Sequence, residues 1–364
     1  MSSLPKRLPG EGRERRLLEI RREAERRGRV EAPGIAPAGA PFPQANAHAG
    51  YYGIPMLKPP QWTWEIPLYF FVGGAAGASS VIGAMARWVG RDRQLARHAR
   101  LVAAAGGAIS SGLLISDLGR PSRFLNMLRV FKAQSPMSVG AWTLAAFGTS
   151  SAAAAFAQLV EDRFELGPVR VIGNIAEAFS AAFGLPFSNY TGVLIGATAI
   201  PVWNENVKTL PLHFGMSGLN SSVSILELLG NRNKALNTLG ILASAVESWE
   251  GLHIEKTSKP VMEPLKHGFS GWLTRAGGAL SGPVPLALRL LSLATGRGQA
   301  RRLAAYSSLA GSLITRYAWM RAGHASAKDY RLPLGISEDM AEPEPVAVED
   351  QLRHEEEERE ELAG

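Results

Sequence analysis

Cysteine is absent from all 364 residues. That absence excludes disulfides, thiolate metal sites, covalently attached c-type haem and any iron–sulfur cluster held by this chain itself. The opening MSSLPKRLPGEGRERRLLEI also lacks a compact apolar stretch followed by a small-residue cleavage site. No secretory signal peptide is therefore expected, and the first membrane span is expected to serve as the insertion signal. Charge is scarce in the middle of the chain and dense at its ends. Residues 1 to 30 hold Lys6, Arg7, Arg13, Arg15, Arg16, Arg21, Arg22, Arg26, Arg27 and Arg29, while the far end carries acidic runs such as EEEERE. A mean hydropathy close to zero thus reflects polar tails diluting an apolar body. No nucleic-acid partner is expected.

Between the tails lie long stretches of Ala, Gly, Leu, Val and Ile. The Pro- and Gly-rich EAPGIAPAGAPFPQANAHAG prevents a continuous element, so residues 1–48 read as a basic tail and linker. Residues 49–330 read as a transmembrane domain and 331–364 as an acidic tail. The basic tail is expected to be solvated rather than seated on lipid head groups, although membrane lipids surround the body.

A helix needs roughly 20 apolar residues to cross a bilayer, because its backbone groups must be satisfied internally. By that test 66–88, 100–116, 139–160, about 178–203 and 235–254 are clear spans. Weaker ones are 209–230, 279–295 and 301–320. The fold class expected is an all-α integral membrane protein of about eight transmembrane helices, with both tails on one side. Pro186 predicts a kink or break that leaves 171–184 as an interfacial approach. Arg91, Arg93, Arg97, Arg100 and Arg170 are assigned to loops on the side opposite the tails. Loop Lys and Arg nearly balance across the two sides, and the amino-terminal tail tips the count towards tails inside.

Gly73, Gly74, Gly77 and Ala78 form two small-xxx-small pairs in the first span, a spacing that lets helix backbones approach closely. Trp62, Trp64 and Tyr69, just before and within that span, fit an aromatic belt at the membrane interface. Ionisable groups in a membrane are costly unless paired or facing a cavity. Glu247, Glu250 and His253 follow one another at spacings of three, a rising path suited to proton transfer. The alternative is that both glutamates pair with Arg316 or Arg289 to hold the bundle. With alternating helices, several span ends meet on the tail side, bringing together Glu65, Tyr69, Asp117, Tyr190, His213 and His253. A carboxylate, a phenol and imidazoles beside an apolar interior suit a quinone head group, whose carbonyls need donors and whose reduction needs protons. A b-type haem held by His213 and His253 is the competing reading of the same residues.

Three stretches carry a resemblance: YYGIPMLKPPQWTWEIPLYFFVGGAAGASS at 51–80, SDLGRPSRFLNMLRVFKAQSPMSVGAW at 116–142 and YTGVLIG at 190–196. They resemble the NrfD/PsrC-type membrane subunits of polysulfide and nitrite reductases, over about residues 50–330. The resemblance implies an eight-helix, quinone-reactive anchor in a bacterial cytoplasmic (inner) membrane. It implies no haem or iron–sulfur cluster in this chain. Electrons would pass between menaquinone or ubiquinone and a ferredoxin-like iron–sulfur subunit, itself joined to a molybdopterin catalytic subunit of the formate dehydrogenase or polysulfide reductase kind. Carried over, the quinone region falls on Glu65 or Tyr69, Asp117 and Tyr190, with His213 and His253 as second choices. The proton path falls on Glu247 and Glu250, and the partner surface on Arg120, Arg123, Arg129 and Lys132. A proton- or ion-translocating subunit and a purely structural anchor are the readings from other classes.

Overall fold

The computed structural model describes residues 57–332, except Pro59, Gly119, Glu165, Arg297, Tyr330 and Arg331. The expected tails at 1–48 and, apart from Leu332, at 331–364 lie outside the described residues. The described residues form helices and connections, with no strand among them. In chain order the α-helices are α1 Glu65–Trp88, α2 Arg93–Asp117, α3 Pro136–Phe164, α4 Gly167–Gly196, the short α5 Pro201–Glu205, α6 Leu210–Leu228 and α7 Lys234–Lys256. The short α8 Glu263–Lys266, α9 Gly268–Ser281, α10 Pro283–Thr295 and α11 Gly298–Lys328 follow. A 3-10 segment, Pro121–Leu128, joins α2 to α3.

Among the described residues, five runs are long and apolar enough to cross a membrane: α1, α2, α3, α4 and the combined Gly268–Thr295. The helices α6, α7 and α11 are long enough but less apolar, because their inward faces carry Ser, Asn, Glu and Arg. Eight crossings are expected from the sequence; five of them meet the length and apolarity of a span among the described residues. Outward faces are apolar: Ile172, Ile175, Phe179 and Phe183 make an exposed stripe along α4, as expected where lipid rather than water is the neighbour.

Close backbone approach organises the centre. A Cβ on Gly218 would meet the carbonyl carbon and oxygen of Gly74 at 2.8 Å, and one on Gly77 would meet the backbone of Gly184 and Ser188. The small-residue face of α1 therefore packs directly on α4 and α6, as the spacing predicts. Around it sit Phe147 stacked on Phe187 at 5.0 Å, Tyr69 at 6.2 Å from Phe187 and Phe70 at 6.1 Å from Phe214.

The structure corrects three boundaries. The second crossing starts at Arg93 rather than 100, with Asp92 accepting from the Leu95 amide as its cap. Arg97 and Arg100 are therefore helical, as is Arg170 in α4. Arg100 is buried and bound to Glu177 by Nε–Oε1 at 2.9 Å and Nη2–Oε2 at 2.6 Å. The helix α4 runs unbroken through Pro186 and ends at Gly196, short of the expected 203. Beside the proline, Ser188 Oγ and Asn189 Nδ2 both donate to the Leu185 carbonyl. The seventh crossing begins at Gly268 rather than 279 and is broken at Gly282, because Pro283 lacks the N–H that would continue α9 and instead starts α10. Asn220 Nδ2 bonds the Ser281 carbonyl beside this break.

Candidate functional site

Four helices converge on one small cavity, α3 contributing Met137, Gly140 and Ala141. The start of α1 supplies Ile66, Tyr69 and Phe70, the end of α2 supplies Leu114 and Asp117, and α4 supplies Tyr190 and Leu194. Trp62, Leu118, Met127, Met137, Gly140 and Ala141 complete a wall enclosing about 90 Å³. Apolar and aromatic surface dominates, and the polar groups are a carboxylate and two phenols. Asp117 sits there because α2 terminates at it: Leu118 is extended, and Pro121 opens the 3-10 segment in place of another helical turn.

Two of the polar groups are held by bonds across the site. The Tyr190 hydroxyl donates to the Pro136 carbonyl at 2.7 Å, tying α4 to the first residue of α3. Its ring lies over Gly140, where a methyl group would overlap the phenol. Glu65 joins the margin through Thr63, whose hydroxyl bonds Glu65 and lies 3.3 Å from Asp117 Oδ1. Trp62 stacks on Trp203 at 5.8 Å, and the Trp203 indole in turn donates to the Trp319 carbonyl. Four residues named from the sequence (Glu65, Tyr69, Asp117 and Tyr190) are thus gathered in one place.

The histidines are placed differently from the expectation. His213 is buried between Phe214 and Trp319, with ring centroids 5.8 and 6.0 Å away. Neither of its nitrogens has a hydrogen-bond partner among the described residues. His253 is exposed and stacks on Trp249, itself exposed. It leaves the face of Glu247 because six residues turn a helix by about 600°, or 240° around the axis. The two imidazoles are not joined, and no cluster of three or more metal-ligating side chains occurs among the described residues.

Glu247 and Glu250 do face inwards, at 2% and 3% exposure. The Arg289 pairing that the sequence allows for them is taken by Glu227. Arg289 Nη1 lies 3.0 and 2.9 Å from its two oxygens, and Arg301 Nε donates to Oε1 at 2.8 Å. Arg316 bonds the Phe214 carbonyl and lies 3.8 Å above the Phe214 ring. Both Glu247 oxygens and one Glu250 oxygen remain without a hydrogen-bond partner among the described residues, as do Ser217, Ser244 and Ser281 hydroxyls nearby. On the segment between α2 and α3, Arg120, Arg123, Arg129 and Lys132 lie at the surface, interleaved with exposed Leu125, Val130 and Phe131.

The family description "Polysulphide reductase, NrfD" matches residues 54–244, just over half of the sequence. The chain belongs to the NrfD family. The matched region contains the whole Asp117 cavity and stops just short of Glu247. The C subunit of polysulfide reductase from Wolinella succinogenes is similar to this NrfD protein at 24% identity over 185 residues, covering 46% of this protein and 58% of that one. The NrfD protein thus spans less than two thirds of the curated relative it matches. It is an all-α, multi-pass membrane subunit of this family.

Sequence reasoning missed Thr63, Met127, Met137 and Gly140, and it gave Trp62 another role. The stretch QWTWE reads as an interfacial aromatic belt, and nothing local marks Gly140 as the seat of a tyrosine fifty residues later. Both lie within the stretches that carry the family resemblance.

Proposed function

We propose that this NrfD subunit binds the head group of a membrane quinone, menaquinone or ubiquinone, in the Asp117 cavity. In this reading it exchanges electrons with a ferredoxin-like iron–sulfur subunit on a molybdopterin enzyme of the formate dehydrogenase or polysulfide reductase kind. The assembly would lie in a bacterial cytoplasmic membrane. The observation that carries the reading is the convergence of Asp117, Tyr69 and Tyr190, from three helices, on one apolar cavity. A quinone supplies two-electron, two-proton redox chemistry when bound. Tyr69 is placed to donate a hydrogen bond to one of its oxygens, Tyr190 to do so only on release of the Pro136 carbonyl, Asp117 to hand over or accept a proton, and the apolar walls to exclude water. At about 90 Å³ the cavity is smaller than the roughly 300–1,000 Å³ of ordinary ligand clefts. Occupancy therefore requires side chains to move, and the unbranched Met127 and Met137 are the adaptable part of the wall.

Gly140→Ala tests this. The added methyl expels the Tyr190 ring, and turnover with a short-chain quinol analogue is expected to fall about 100-fold, the scale of a misplaced catalytic group. The amount of assembled complex should be unchanged. Normal turnover in the variant would refute the cavity assignment.

The surface residues Arg120, Arg123, Arg129 and Lys132 are assigned to partner docking, where cations flanking apolar side chains set orientation and on-rate. Changing all four to Gln should weaken co-purification of the iron–sulfur partner and flatten its salt dependence at about 0.15 M ionic strength. An unaltered salt profile counts against this face. Glu247 and Glu250 are assigned to proton movement, supported by their burial outside any ion pair among the described residues.

A further inference from the structure

A second, larger concavity lies at the other end of the molecule. It opens between α1, α4, α6 and α7 and encloses about 920 Å³. The cavity residue Asp117 ends α2, whereas Asp92 at the rim of this groove caps its start. The two sites are thus separated by a 25-residue helix, about 37 Å at 1.5 Å per residue. The groove walls are apolar, with Val81, Ile82, Met85, Leu185, Leu219 and Leu239 among them.

Its floor offers no free donor. Ser188 Oγ and Asn189 Nδ2 both donate to the Leu185 carbonyl at 2.8 Å, and Asn189 Nδ2 also donates to Ser188 Oγ at 3.2 Å, so a quinone carbonyl gains nothing there, while a hydrocarbon chain needs nothing. The rim itself carries Asp92, and the cations are its immediate chain neighbours. Arg91, Arg93 and Lys234 flank the rim residues Gly90, Asp92, Asn233 and Ala235 in the sequence. None of the three is buried or has an ion pair among the described residues, whereas Arg97 and Arg170 are paired with Asp162 and Glu161. The Asp92 carboxylate is engaged, accepting from the Leu95 amide and from Asn233 Nδ2, which links the caps of α2 and α7.

We infer that this groove is a binding site for an anionic phospholipid, its acyl chain lying along α1 and α6 and its phosphate held by Arg91, Arg93 and Lys234. Charge complementarity selects the occupant: cations at a membrane surface attract anionic head groups, each contributing up to about fivefold in affinity. Native mass spectrometry of the full-length protein, with equal phosphatidylglycerol and phosphatidylcholine and a quinone added, tests it. One retained phosphatidylglycerol is expected, preferred over phosphatidylcholine by at least about tenfold. Preference should vanish in the triple variant Arg91→Gln, Arg93→Gln, Lys234→Gln. Retention of either lipid should fall in Thr238→Trp, which fills the groove from α7. Equal retention of the two lipids, retention of the quinone in their place, or preference surviving in the triple variant would each overturn the assignment.

Discussion

Asp117→Asn is expected to leave the complex assembled and to lower quinol-coupled turnover by about 10²–10⁴-fold, the range that a positioned proton donor or acceptor contributes. The substitution is nearly isosteric, and the amide oxygen can still accept from Thr63, the contact that holds the carboxylate at 3.3 Å. What the amide cannot do is exchange a proton. Loss should therefore appear in turnover, while binding of a quinone analogue, measured by quenching of Trp62 at the cavity wall, stays within a few-fold. Unchanged turnover in the assembled variant would mean that protons reach the cavity without this residue.

The second large effect separates two glutamates that sequence alone treats alike. Glu227→Gln leaves Arg289, which is fully buried, and Arg301 facing a neutral amide. Removing one partner of a buried pair costs about 3–5 kcal/mol, so the variant should unfold at markedly lower denaturant in detergent and accumulate poorly. Glu247→Gln breaks no ion pair among the described residues, its neighbours being Ser217, Asn220 and Ser281, and should fold normally. Its effect should instead appear in vesicles as lost proton uptake accompanying quinone reduction. A stable Glu227→Gln protein would show that the ion pair contributes little. Full proton uptake in Glu247→Gln would end the proton-path reading.

The features legible in the sequence are those written locally. Small-residue spacing in α1 shows in four residues, and the proline after Asp117 marks a helix end. Alternation of crossings alone suffices to bring the start of α1, the end of α2 and the last turns of α4 to neighbouring positions. Pairings across distance leave no such mark. Arg100 and Glu177 lie 77 positions apart, and an arginine near a span end reads by default as a loop cation. The polar faces of α6, α7 and α11 lower their hydropathy, so helices lining the protein interior include the weakest signals. His253 departs from its expected place because spacings of three, carried for two steps, let the helix turn away. In α4, Pro186 invites the consequence it has in water, whereas the helix continues through it.

Met127 belongs at once to the cavity wall and to the 3-10 segment that carries Arg123, and Pro136, which receives the Tyr190 hydroxyl, closes the same connection. One connection thus carries both the exposed arginines and part of the cavity wall. In the proposed reading, a protein docked on that face would bear on the segment that closes the cavity, and a shift of that segment would reach the phenol bonded to Pro136.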